Sequence, residues 1–212
     1  MLAYRRILSA ASLCVMILAS LFSTASAEEP AVTEVDLPTL KNTQMKGINF
    51  LKNSQLDDGL WTTETVPGIS ALVTTALLES GVPASDPVVA KALKRLEGFV
   101  QKDGGIYYAK SNHRNYETCI SIMALSAANQ GGRYDAIIKN AEKFLRDLQW
   151  DEGEGLESSD TAFGGAGYGS HQRPDLSNTQ YLIEALRKAG VKSDDPAIQK
   201  ALVFVSRTQN LE

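Results

Sequence analysis

Residues 46–61 read KGINFLKNSQLDDGLW, and this unit recurs along the chain in register. Ile48, Leu51 and Gln55 fall at spacings of three and four, so one side of a helix carries them. Asp57-Asp58-Gly59 then ends that helix, as a glycine past the last turn does. A second copy at 91–106 keeps Lys91-Ala92, Leu96 and Asp103-Gly104, with Val100 where the glutamine belongs. A third at 140–155 keeps Ala141, Phe144-Leu145, Gln149 and Gly153, with Gly155 in place of the tryptophan, and a fourth offers Lys200-Ala201, Phe204-Val205 and Gln209. A chain that repeats one helix-and-turn unit folds by stacking the units, because no single unit can bury its own apolar side.

The connecting segments repeat too. Residues 81–87 (GVPASDP) and 190–196 (GVKSDDP) align without a gap at an offset of 109, and the match runs on into Lys91-Ala92-Leu93 and Lys200-Ala201-Leu202. Asp86 and Asp195 are placed to cap helices whose first residue is proline, and Asp135 is expected to do the same in the unit between them. Helices are therefore expected in pairs. First members span roughly 38–55, 86–101, 135–149 and 195–208, and second members roughly 67–80, 116–129 and 176–189. Superposition aligns Leu51, Leu96, Leu145 and Val205, then Gln55, Gln149 and Gln209, then Ala76-Leu77, Ala124-Leu125 and Ala185-Leu186. The 67–80 helix has Ile69, Leu72, Val73, Ala76 and Leu77 at i, i+3, i+4, i+7, i+8, which predicts the stripe it buries. The 116–129 helix is apolar nearly all round (Cys119, Ile120, Ile122, Met123, Leu125), which marks the second helices as an inner layer. No sustained alternation of period two is present, so almost no sheet is expected.

The first residues are of another kind. Arg5 and Arg6 precede an apolar run over 7–22, and Ala25-Ser26-Ala27 is a small-x-small site. That is the layout of a secretory signal peptide cleaved after Ala27, and the run is shorter than the ~20 residues of a spanning helix. The chain is thus expected to be secreted or periplasmic, with no stable membrane span after signal removal. Residues 28–37 read as a linker and 38–212 as one repeat domain. Cleavage removes two arginines and no acid, taking the net charge from −4 to −6. An acidic chain without a basic, aromatic-interleaved patch is not built for nucleic acid. Cys119 remains as the sole cysteine of that mature chain, so no internal disulfide forms, and its place on an apolar stripe makes it a packing residue.

Residues 46–61 match the glutamine–tryptophan repeat of the terpene cyclases, and the chain resembles the wider class of prenyltransferase and squalene-oxidase repeats. The resemblance covers the whole mature chain. It implies an all-α fold, an α/α toroid of inner and outer helices, here with about three and a half hairpins of the six a closed ring has. The shortfall is read as a fragment or a domain shortened at its C-terminus, with a self-contained open solenoid as the alternative. Phe50, Leu51, Gln55, Gly59, Trp61, Gln149 and Gln209 are the structural residues it implies, the glutamine and tryptophan holding neighbouring hairpins together. It implies an apolar, isoprenoid-like ligand between the inner helices, with isomerising cyclisation as the reaction if the chain is catalytic. The protonating Asp-x-Asp-Asp motif of such cyclases is absent, the nearest sequence being Lys192-Ser193-Asp194-Asp195 at a helix cap; the Asp-Asp-x-x-Asp motif is absent too. Protein prenyltransferases, of similar fold, hold zinc through an Asp-x-Cys pair and a histidine. Glu117-x-Cys119 with His113 or His171 sits at that kind of place, yet packing of Cys119 is the expected outcome, with no metal and no cofactor.

The longest connection, 150–175, is glycine-rich and ends in Tyr168, His171, Arg173 and Asp175. Loops of this length inside a domain are functional or disordered. Its acids (Asp151, Glu152, Glu154, Glu157, Asp160) lack calcium-loop spacing. With Pro67 and Tyr116, Asp175 marks the start of a second helix, and those N-termini would gather on one rim suited to an anionic group. Candidate site residues are accordingly Tyr116, Glu117, Tyr168, His171, Arg173 and Asp175. The plainer readings are that Asp175 or Ser177 caps its helix and that Arg173 pairs with a nearby acid. Two further functions fit the same residues: a non-catalytic binding or scaffold module, and a polysaccharide-degrading enzyme using His171, Arg173 and Asp175.

Overall fold

The computed structural model describes residues 36–169 and 173–209. The expected signal peptide, nearly all of the linker, and His171 lie outside the described residues. By contacts the chain divides into Met1–Leu40 and Lys41–Glu212. Of the first unit the described part, residues 36–40, is the exposed first turn of a helix and its cap, with Asp36 O accepting from Leu40 N–H at 2.9 Å.

The fold is all-α. Seven α-helices are present among the described residues: α1 Leu37–Asn53, α2 Pro67–Glu79, α3 Pro87–Glu97, α4 Arg114–Ala127, α5 Asp135–Arg146, α6 Leu176–Lys188 and α7 Pro196–Ser206. Two isolated bridges, Val100 with Ile106 and Ala166 with Asp175, are the only β pairings among them. No helix of the described residues is long and apolar enough to cross a membrane. In the second unit α4 packs between α2 and α6, and α3, α5 and α7 lie behind that row, each against the second helix that precedes it. The core runs along the row through Leu77, Cys119, Ile120, Ile122, Leu125, Leu182 and Leu186, and into the flanking helices through Leu93, Leu96, Leu145 and Ile198.

The first and third repeats are locked by the same joint. Gln55 Nε2 donates to the carbonyls of Gly59 (3.0 Å) and Val88 (2.9 Å), tying its own turn to the first turn of α3. Gln149 Nε2 does so with Gly164 and Ala197, both at 2.9 Å, the latter in the first turn of α7. In the middle unit Val100 cannot donate, and neighbouring Gln101 turns inward to the Phe99 and Tyr107 carbonyls of its own loop. Trp61 Nε1 closes the first unit by donating to Leu51 O at 2.7 Å. A second anchor went unread in the sequence. Trp61, Ile106 and Ala166 each donate a backbone N–H, at 2.9–3.0 Å, to Ser70, Thr118 and Thr179 respectively, one hydroxyl at the same place in every second helix.

Charge reinforces the joints. Lys52 meets Asp86 at 2.6 Å and Arg146 meets Asp195 at 2.7 Å, joining the end of one first helix to the cap of the next. In the middle joint the polarity is reversed, with Glu97 at the helix end and Arg133 across from it at 3.0 Å. The Lys52 ammonium holds the Asp86 carboxyl below its ordinary value, as the Arg146 guanidinium does for Asp195.

Three expectations are corrected. Asp86 and Asp195 cap α3 and α7 as expected, but Asp135 is the first residue of α5 and Tyr134 occupies the cap position. With Ala136 in place of a proline, nothing fixes the start at Asp135, and Asn129 organises the turn by accepting from Tyr134 N–H and donating to Asp135. The turn glycine of the third unit is Gly164, not Gly153. Gly59, Gly104 and Gly164 all have φ near +90° and press against the carbonyl of Lys91, Asn140 and Lys200 in the next helix. The stretch 150–163 is therefore an insertion inside the joint. The α2 stripe is only partly buried, with Val73 packed against the core. Leu77 is buried, but Ile69, Leu72 and Ala76 face outward, while Ser70, Ala71, Thr74 and Thr75 pack inward. Thr74 and Thr75 satisfy their hydroxyls on the carbonyls one turn back, which makes that side compatible with burial.

Candidate functional site

The starts of α2, α4 and α6 meet around a cluster of aromatic rings. Tyr116, in the first turns of α4, packs edge-to-face on Tyr181 of α6 at 5.3 Å and lies 6.3 Å from Tyr168 of the long loop. His113, just before α4, stands edge-on to Tyr168 at 5.0 Å. Gly68 in α2 makes room for the Tyr116 ring, since a Cβ there would sit 3.0 Å from it. Tyr168 is held by its backbone, since its carbonyl accepts from Asn115 N–H at 3.0 Å and the Asn115 side chain donates to Gly167 O at 2.8 Å. Burial raises the Tyr116 phenol above its ordinary value, helped by Tyr181 and Tyr168, so it stays neutral. Of these rings the sequence singled out Tyr116 and Tyr168, and His113 as a zinc candidate; Tyr181 was missed because its repeat position carries Leu72 and Ile120 in the other units.

Along the α4 stripe that begins at Tyr116, the next residues are Ile120 and Met123. Met123 and Ile183 floor a cleft of about 470 Å³ at the far end of the row, rimmed by Glu79, Glu184, Arg187 and Lys188. Lys188 and Glu79 bridge it at 2.6 Å, joining α6 to α2 across the end of α4.

The acids expected near the rim are committed elsewhere. Glu117 is buried and accepts from Ser111 Oγ at 2.7 Å and Tyr108 N–H at 2.9 Å, which pins the preceding loop to α4. Burial raises its carboxyl, and those two donors oppose the rise without cancelling it. Asp175 caps α6, accepting from Asn178 N–H at 2.9 Å, the Asn178 side chain at 2.7 Å and Ser177 Oγ at 2.7 Å. Burial raises that carboxyl, but the donors outweigh it and hold it below its ordinary value. The plainer reading of Asp175 is the observed one. Arg173 has no acid within ion-pair distance among the described residues; it lines a separate cleft of about 380 Å³ with Pro174, Leu176 and Phe204.

Cys119 is fully buried, and its thiol donates to Asn115 Oδ1 at 3.4 Å. Burial pushes the thiol well above its ordinary value, so it is inert. Glu117 and Cys119 therefore serve different partners, and no group of three metal-ligating side chains converges among the described residues. The acidic half of the long loop is structural too: Lys200 pairs with Asp151 at 2.8 Å and with Glu152, and Arg207 donates to the carbonyls of Ser158 and Asp160.

No model of a known protein family matches the chain, and no curated protein matches it.

Proposed function

We propose that this chain is an exported repeat module of the terpene-cyclase type, its hairpins forming part of an α/α toroid, and that it binds an apolar, isoprenoid-like molecule along α4 and α6. The cluster of Tyr116, Tyr168 and Tyr181 carries the reading. Neutral aromatic rings at one end and the Met123–Ile183 floor at the other offer apolar contact, the latter within a rim of Glu79, Glu184, Arg187 and Lys188. Binding without chemistry is the form the residues favour. Cyclisation needs a proton donor facing the ligand, whereas Glu117 and Asp175 are held by their own loops.

The test is to extract the purified protein for lipid, then titrate it with farnesol while following tyrosine and tryptophan emission. Co-purified polyprenols, or saturable farnesol binding that weakens at least tenfold in Tyr116→Ala/Tyr181→Ala, support the reading. Saturable binding of a uronic-acid oligomer instead, or farnesol binding indifferent to both tyrosines, sinks it.

A further inference from the structure

We propose that the cleft between the end of α4, one side of α5 and the end of α6 binds a small neutral polyhydroxyl molecule, a single sugar residue. It is a second site, separate from the apolar contact assigned to α4 and α6 above. The cleft measures about 420 Å³, within the range of small-molecule sites, and Ser126, Asn129, Asp135, Lys139, Glu142 and Lys188 line it beside Ile138 and Ala189. The matching junction one hairpin earlier, where α2, α3 and α4 meet, shows what this place holds when it is simply packed. Leu78, Val89, Leu93 and Ala128 stand there at the positions of Ser126, Ile138, Glu142 and Ala189. Val89 and Leu93 are 0% and 2% exposed, and Leu78 packs against the core. One leucine is thus exchanged for a serine and another for a glutamate, and the junction opens.

The connecting loop carries the same change. Gly81 and Gly190, with φ near +90°, end α2 and α6, and the valines after them, Val82 and Val191, pack against the core. Each valine N–H returns at 3.0 Å to a helix carbonyl, that of Leu77 or Leu186. After α4 the chain reads Asn129-Gln130-Gly131-Gly132, Asn129 has φ −79°, and no apolar plug follows it. The polar atoms left over set the class of ligand. Asp135 Oδ1 accepts from Asn129 at 2.7 Å and Glu142 Oε1 from Arg146 at 2.8 Å, and the second oxygen of each carboxylate has no partner among the described residues. Lys139 has none among them either, and the Ser126 hydroxyl is buried without one. Two acceptors, an ammonium and a hydroxyl suit a diol, whose hydroxyls donate to carboxylate and accept from ammonium. Asp135 and Glu142 balance Lys139 and Lys188, so a neutral guest adds no uncompensated charge.

The full chain, expressed from Met1, is titrated separately with glucose, galactose, mannose, glycine and acetate, and binding is followed by saturation-transfer NMR. At least one sugar is expected to saturate in the millimolar range, and glycine and acetate are not. Lys139→Ala, a change at an exposed position, should weaken that sugar about tenfold or more. Ser126→Leu, which installs the side chain of the packed junction, should do the same. Should Ser126→Leu fail to fold, Lys139→Ala decides alone. Absence of saturation by all three sugars overturns the proposal, as does sugar binding that survives either folded variant. Tighter binding of glycine or acetate than of any sugar also overturns it, because the cleft would then serve a zwitterion or an anion.

Discussion

The helices α2 and α4 occupy equivalent repeat positions and are buried to different extents, the positions buried in α2 being buried in α4 as well. α4 has neighbours on both sides and hides Cys119, Ile120, Ile122, Ala124 and Leu125 around its circumference. α2 has a row neighbour on one side among the described residues, and it buries Ser70, Ala71, Thr74, Thr75 and Leu77 while leaving Ile69 and Leu72 exposed. An apolar stripe therefore tells which side of a helix seeks a partner, and not which side has found one among the described residues.

Replacing Ile120 by alanine should cost about 2–5 kcal/mol, the range for truncating a buried aliphatic side chain. The same change at Leu72 should stay within about 0.5 kcal/mol. Equal losses in urea unfolding would show that the two positions are equally covered and would dissolve the contrast. The joints sharpen it next. Gln149 is buried while Gln55 is half-buried. Gln149→Ala, which strands the carbonyls of Gly164 and Ala197, should cost about 2–3 kcal/mol and Gln55→Ala about 1 kcal/mol.

How much of the fold and site was legible depends on the physics of each signal. Hairpin order, helix positions and the glutamine joints could be read because propensity, capping and spacing act within a few residues. Gly164 was hidden because 150–163 intervenes between Gln149 and the turn, so a fixed-length comparison stopped at Gly153. The hydroxyl anchor Ser70–Thr118–Thr179 was visible in the alignment six residues before the Ala-Leu pairs, but polar residues in a helix are ordinarily assigned outward. The aromatic cluster joins residues 113, 116, 168 and 181 from two helices and two loops, which no local spacing encodes. Glu117 looked like a ligand or acid by position, and only the loop folded over it showed its actual partners.

That residue gives the third test. Where α2 exposes Ile69, α4 buries the carboxyl of Glu117, whose folded pKa is raised. The native state therefore binds the proton more tightly than the unfolded chain, so Glu117 weighs most against folding above its folded pKa and least below its ordinary one. As pH falls from neutral through that window, the wild type should gain thermal stability relative to Glu117→Gln; a constant difference would mean the carboxyl is not desolvated. The smallest effect belongs to Asp195. Its depressed pKa stabilises the fold above the ordinary carboxylate range and loses that contribution as pH drops through the folded value. Asp195→Asn should remove about 1 kcal/mol or less at neutral pH and flatten the acid limb of the unfolding profile.

The insertion at 150–163 enters between Gln149 and Gly164 without breaking the hydrogen bond that joins them. Spacing of the helices is thus decoupled from the length of chain that connects them, because the fastening is made at three points rather than along the whole turn. The Gln55–Gly59 turn, fastened in the same way, should tolerate a spliced-in peptide on the same terms, and such a graft, an epitope or a fluorophore tag for instance, would ride on the outside of an unaltered stack.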